Sequence, residues 1–183
     1  KAQEILEAAG CTRNSDGFYE RDGEEIGFVI SVMSGEQDRI DIAQAAAQQL
    51  KEVGIDCTVE VPTEVDWGGQ MAYLIGWGSP FDADDHTYKV FGTDKGANYS
   101  SYSNALVDQY LIEARESADP AVRAEAYDKF QEELAKDPAF TFICYIDANY
   151  VANSSIQGIS ADTVMGHHGV GIFWNVADWT IGN

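Results

Sequence analysis

Apolar positions along this chain follow two spacings, one near the helical period and one near two, and the switches between them mark its elements. Lys1–Ala9 spaces its apolar residues as a short amphipathic helix, which Gly10 stops. Asn14 to Gly23 reads as a hairpin-like connection, because Asp16-Gly17 and Asp22-Gly23 are turn dipeptides. Ile26 to Met33 (IGFVISVM) is a strand rich in β-branched residues. Arg39 to Val53 returns to helical spacing through Ile42, Ala43, Ala46, Ala47 and Leu50, and Gly54 ends it. Ile55 to Val61 alternates as a strand. Strand, helix and strand in this order predict a right-handed parallel βαβ unit.

Met71 to Gly76 is a further strand, and His86 to Phe91 a short helix. The two strongest helices are Ala105–Ser117 and Ala121–Lys136. Asn104 and Asp119 stand at their N-caps, with Pro120 in the first turn of the second. Phe140 to Asp147 (FTFICYID) is a strand candidate, which Tyr150 to Ala152 continue or pair with. The tail from Gly158 is rich in glycine and aromatic residues and weakly periodic. Alternating strands and helices predict an α/β fold with a mostly parallel mixed sheet flanked by helices.

Composition narrows the partners. At 183 residues the chain fits one domain. Its 31 acidic residues against 11 basic ones give a formal charge of −20, which excludes the positive face that nucleic acid or an anionic membrane surface requires. The three cysteines, Cys11, Cys57 and Cys144, form no CxxC or Cys/His cluster. Cys57 and Cys144 sit in apolar strand-like runs and read as buried free thiols. The chain opens inside a helix-forming stretch and reads as a piece of a longer protein.

No catalytic motif appears: there is no GxSxG, HExxH, Walker loop or dinucleotide fingerprint, and no cofactor is called for. Chemistry concentrates between Ala72 and Asn104. There an apolar strand delivers Trp77, then Asp82, Asp84, Asp85 and His86, to its C-terminal end, where open α/β sheets build ligand sites. The carboxylates suit either a cationic ligand or capping of the following helix, with capping preferred for any single Asp. As a calcium loop the cluster lacks the central Gly and terminal Glu. His167 and His168, in MGHHG, read as an exposed polar loop, and with His86 as weak candidates for a transition metal. Trp77, Phe81, Phe91 and Tyr102 are candidate pocket aromatics.

Several segments, in order, resemble one family. The opening helix with its acidic turn and Asp22-Gly23 is similar to that family's entry segment. RIDIAQAAAQQLKEVGIDCTVEV (39–61) resembles its βαβ segment, and LIGWGSPFDAD (74–84) its Gly-Trp turn, with Ala83 where proline is usual. NYSSYSNALVD (98–108) and the stretch from Arg123 to Phe142 resemble its later helices and strand. Together these cover Lys1 to about Gly158 and resemble the C-terminal lobe of the family 5 extracellular solute-binding proteins of ABC transporters, the oligopeptide, dipeptide and nickel binders. Between Trp67 and Ala72 the chain is shorter than the family pattern.

The resemblance implies a type II periplasmic-binding-protein-like lobe spanning 1–183, with an N-terminal lobe outside this chain closing on it by hinge motion. It implies that Trp77, Gly78, Ser79, Pro80, Phe81, Asp82 and Asp84 face the cleft, Asp82 pairing with a peptide ammonium and Asp84 second. In nickel-type members the aromatics stack on a metal chelate, and Phe81 beside Trp77 takes that role. The implied partners are a peptide or metal chelate and ABC permease subunits, at the extracellular face of the membrane or in the periplasm, with a lipid anchor on the absent N-terminus. Trp174 and Trp179 would be packing residues. Two other classes stay open: a metal-dependent hydrolase using Asp82, Asp84, Asp85 and His86, and a sensor that kept the fold without transport.

Overall fold

The structure, a computed structural model, describes residues 1–78, 82–146, 149–160 and 171–182. It divides into two compact units, Lys1–Gly76 and Trp77–Asn183. Among the described residues no helix is long and apolar enough to cross a membrane.

The first unit begins with α1 (Ala2–Ala8), followed by an antiparallel meander of β1 (Thr12–Arg13), β2 (Tyr19–Arg21) and β3 (Glu24–Glu25). Both turn dipeptides act as read. Asp22 and Gly23 take φ of 55° and 84°, the two left-handed positions of a tight hairpin turn between Arg21 and Glu24. Asn14 closes the other turn, its side-chain oxygen accepting from the backbone N–H groups of Asp16 and Phe18 at 3.0 Å each. Tyr19 is buried from this meander, its hydroxyl donating to Glu7 at 2.9 Å while the Arg13 guanidinium covers its ring at 4.5 Å.

The expected βαβ unit follows. β4 (Gly27–Ser31) pairs in parallel with β5 (Asp56–Glu60) across α2 (Gln37–Val53), and on its other side with the two-residue β6 (Ala72–Tyr73). Ala43 and Ala47 give α2 a small-residue face among the buried core residues Val32 and Cys57. Gly54 ends α2 in the left-handed region at φ 97°, with its N–H on Lys51 and that of Ile55 on Leu50. A Cβ there would also lie 2.7 Å from the Arg13 guanidinium, so this position demands glycine twice over.

The second unit is mainly helical: α3 (Ala83–Phe91), α4 (Ala105–Glu116) and α5 (Pro120–Lys136). Asn104 caps α4 by accepting from Leu106 and Val107, and Asp119 caps α5 by accepting from Ala121, ahead of Pro120. Val107 and Leu111 of α4 meet Phe130 and Leu134 of α5 in a closed cluster. Tyr88, Phe91, Tyr102, Tyr110 and Tyr127 pack around it; of the candidate pocket aromatics, Tyr102 packs here, and Phe91 both packs here and lines a groove with Tyr127, Leu134 and Phe142. β7 (Ile156–Gln157) and β8 (Thr180–Ile181) pair antiparallel, joined through a 3-10 segment, Gly171–Asp178. Trp179 packs there, its indole donating to Asn175 at 2.9 Å, whereas Trp174 stays half exposed.

Two sequence expectations need correction. Residues 141–146 form no strand, although FTFICYID has the pattern for one. Phe142, Ile143, Tyr145 and Ile146 are exposed, and a strand apolar on both faces needs a ladder partner for its backbone and cover over each face, which residues 141–146 lack among the described residues. Cys144 lies in that run and is exposed rather than buried, while Cys11 and Cys57 are buried free thiols. Leu111→Ala is expected to cost about 2–5 kcal/mol through a cavity in the α4–α5 cluster. Leu106→Ala, at an exposed position of the same helix, should stay within about 0.5 kcal/mol. Urea unfolding of both variants checks this, and equal costs would mean that the cluster is not the core.

Candidate functional site

Gly76 ends the first unit, at the C-terminal side of β6. A Cβ there would stand 2.8–3.1 Å from the Arg39 guanidinium, so the bare backbone is the seat on which Arg39 rests. Arg39 comes from the first turn of α2 and is also 3.5 Å from Glu36. Nothing in the local pattern of residues 37–41 tied this arginine to a glycine 37 positions downstream.

The side chains from Trp77 onward belong to the second unit. Asp82 is the N-cap of α3, with extended backbone and an Oδ1 that accepts from the Asp84 N–H at 2.8 Å. Capping, the preferred reading for a single Asp of this cluster, is therefore what Asp82 does, and α3 starts three residues earlier than its apolar spacing indicated. The same carboxylate is held by Arg123 of α5, whose Nη2 donates to both oxygens at 2.7 and 2.9 Å. Arg123 also donates from Nη1 to the Ala114 carbonyl at the end of α4. The capping N–H and then the guanidinium hold the Asp82 carboxyl below its usual range, and the carboxylate in turn raises Arg123.

The remaining acids turn to separate cations. Asp84 Oδ2 is 3.4 Å from Arg115, which lies 3.9 Å over the Tyr88 ring, while Asp84 Oδ1 is buried without a hydrogen-bond partner among the described residues. Asp85 pairs with Lys89 at 3.0 Å and lies 3.8 Å from His86 Nε2. The sequence cluster thus diverges in space. Among the described residues no group of three or more His, Cys, Asp or Glu is assembled that would hold a metal ion. A hydrolytic centre needs converging ligands, whereas Asp82, Asp84 and Asp85 each turn to a different cation.

Trp77 is 38% exposed and borders two rings. The buried His86 ring tilts against it at 5.5 Å, and Tyr99, 41% exposed, lies parallel within 12° at 6.2 Å. Sequence reasoning picked out Trp77 and His86 but missed Tyr99, which carries no motif of its own. Gly78 is exposed beside them. Ser79, Pro80 and Phe81, and the candidate ligands His167 and His168, lie outside the described residues.

Comparison with known proteins places this arrangement. The family profile described as bacterial extracellular solute-binding proteins, family 5 (Middle) matches residues 1–99. The chain belongs to that family. Protein XP55 of Streptomyces lividans is 36% identical over 166 residues, covering 87% of this chain and 31% of the relative. The oligopeptide-binding protein AppA of Bacillus subtilis is 26% identical, covering 98% of this chain and 34% of the relative. Among solved structures, NikZ of Campylobacter jejuni in complex with Ni(L-His) superposes with a TM-score of 0.84 at 34% identity, over 98% of this chain and 38% of NikZ. AppA of Bacillus subtilis with a nonapeptide gives 0.73 at 23% identity over the whole of this chain and 37% of AppA, which speaks for the fold alone. The fold class is that of the type II periplasmic binding proteins. The chain spans about a third of the length of the curated relatives it matches.

The Asp82–Arg123 pair sets an acid dependence. A carboxyl held below its ordinary value of 3.8 stabilises the fold above that value, and the contribution is lost as pH falls through the depressed one. Wild type should therefore exceed Asp82→Asn in urea resistance at about pH 6, with the gap closing toward about pH 2. A gap of unchanged size across that range would show that the pair does not titrate with folding.

Proposed function

We propose that this chain is the C-terminal lobe of an extracellular solute receptor of an ABC importer, one that closes with an N-terminal lobe around a peptide and delivers it to permease subunits. The observation that carries the reading is family membership together with AppA-like sequence along nearly the whole chain. In this reading the receptor works in the periplasm or at the outer face of the membrane, held by a lipid anchor on its N-terminal part. It catalyses no reaction; solute capture is a population shift between open and closed clamps.

The turn from Trp77 through Gly78, Ser79, Pro80 and Phe81 to Asp82 and Asp84 is the ligand-facing segment. Asp82 enters this role with its charge already balanced by Arg123, so a peptide ammonium would share the carboxylate rather than find it free. A second reading, a nickel or metal-chelate receptor, draws support from the likeness to NikZ, whose structure holds Ni(L-His). In that reading the rings of the turn stack on the chelate, and the metal is cargo.

The test is calorimetric titration of the full-length receptor with a mixed pool of di- to pentapeptides, then with nickel plus free histidine. Peptide heat that weakens at least about tenfold in Asp82→Asn is the expected result, because asparagine keeps the helix cap but not the charge. Heat with nickel and histidine alone would transfer the function to metal uptake. Silence with both would sink the receptor reading.

A further inference from the structure

We propose that residues 141–146 are an inner strand of a sheet whose neighbouring strands come from the part of the receptor outside this chain. The inference rests on the receptor reading, in which this chain is one lobe of a longer protein, and adds to it a named contact between the two parts.

The chemistry of the run carries the argument. Residues 138–146 (PAFTFICYI) hold no charged side chain, in a chain with 31 acidic and 11 basic residues, and Asp137 and Asp147 bracket them in sequence. Phe142, Ile143, Tyr145 and Ile146 are 54–101% exposed. As a strand, the run would point Phe142, Cys144 and Ile146 to one face and Ile143 and Tyr145 to the other. Single apolar residues are ordinary on a protein surface. Four large ones within five positions, open on both faces, mark a surface that another element covers.

The kind of cover follows from the two faces. A docked helix or the flat face of another protein would cover one side of such a run. Apolar residues on both sides belong to an inner strand, with layers packed above and below it. The backbone agrees: no N–H or C=O of 139–146 is hydrogen-bonded to another described residue, so both edges stand ready for ladder neighbours. A second copy of this chain pairing edge to edge would supply one neighbour, where the run offers two edges. Left open, an uncharged strand-forming segment pairs with whatever edge it meets, so the folded receptor needs it covered.

The start of the run is fixed. Phe140 stands edge-on to Phe91 at 5.5 Å, and Phe91 packs on the α4–α5 cluster. Phe142 and Tyr145 border the groove lined by Tyr127 and Leu134 of α5. The helical unit thus holds one end of the run and presents the rest. Chain enough for the neighbouring strands is at hand in the receptor reading. The curated relatives are matched over 31% and 34% of their length, and NikZ over 38% of its own, although nearly all of this chain takes part.

Cys144 reports the cover. Its thiol lies midway along the run and is exposed in this chain, whereas Cys11 and Cys57 are buried. The full-length receptor is treated with a maleimide, native and in urea, and labelling of the Cys144 peptide is followed by mass spectrometry. Native labelling at least about 100-fold slower than in urea is the expected result, with amide hydrogen exchange across 141–146 slowed to a similar degree and both unchanged on dilution. Unfolded-like rates in either readout would overturn the proposal. So would protection that is lost on dilution, which would assign the cover to a second copy. Solute titration of the same preparation keeps the two readings apart. Solute binding with an open Cys144 sinks the strand alone, while a protected Cys144 without solute binding leaves the strand standing and sinks the solute-receptor reading.

Discussion

One carboxylate organises the helical unit. Asp82 accepts the N–H that opens α3 and at the same time both branches of contact from Arg123 on α5, whose other nitrogen holds the last turn of α4. Three helices therefore converge on a single charge. The pair is half open to water, with Asp82 62% and Arg123 24% exposed, so its Coulomb energy is screened and its contribution is geometric: it sets where α3 begins.

Beneath this knot the packing is conventional. Val107, Leu111, Phe130 and Leu134 recur at helical spacing on α4 and α5 and close against each other, with tyrosines supplying the outer layer. Asp84 Oδ1 is buried in this region without a hydrogen-bond partner among the described residues, a cost that the surrounding packing must offset. The first unit solves a different problem, with two alanines letting α2 lie close to a short parallel sheet and a glycine turning the chain back under Arg13.

How much of this was readable depended on the range of the interactions. Caps, turns and helix faces are local, and Asn104, Asp119, Asp22-Gly23 and Gly54 behaved as their neighbours in sequence implied. The family likeness rested on such segments in order, and the profile match over 1–99 agrees with it. Partners distant in sequence were not readable. Arg123 finds Asp82 across 41 residues, Arg39 finds Gly76, and Tyr99 finds Trp77, and no periodicity encodes any of these. FTFICYID shows the opposite failure: its pattern states a preference for strand, but a strand exists only with a neighbour, which composition cannot supply.

The charge balance at the turn bears on what such a site can discriminate. A free carboxylate in a closing cleft would hold an ammonium strongly, because expulsion of water raises the worth of each charge pair. Here the carboxylate is already neutralised by a guanidinium with two short contacts, and a second cation gains only part of that interaction. Trp77 and Tyr99, partly exposed and within 12° of parallel, carry no charge that enters this balance. In the proposed receptor, a cation at this turn would therefore share the Asp82 carboxylate with Arg123, and its gain would be correspondingly smaller than at a free acid.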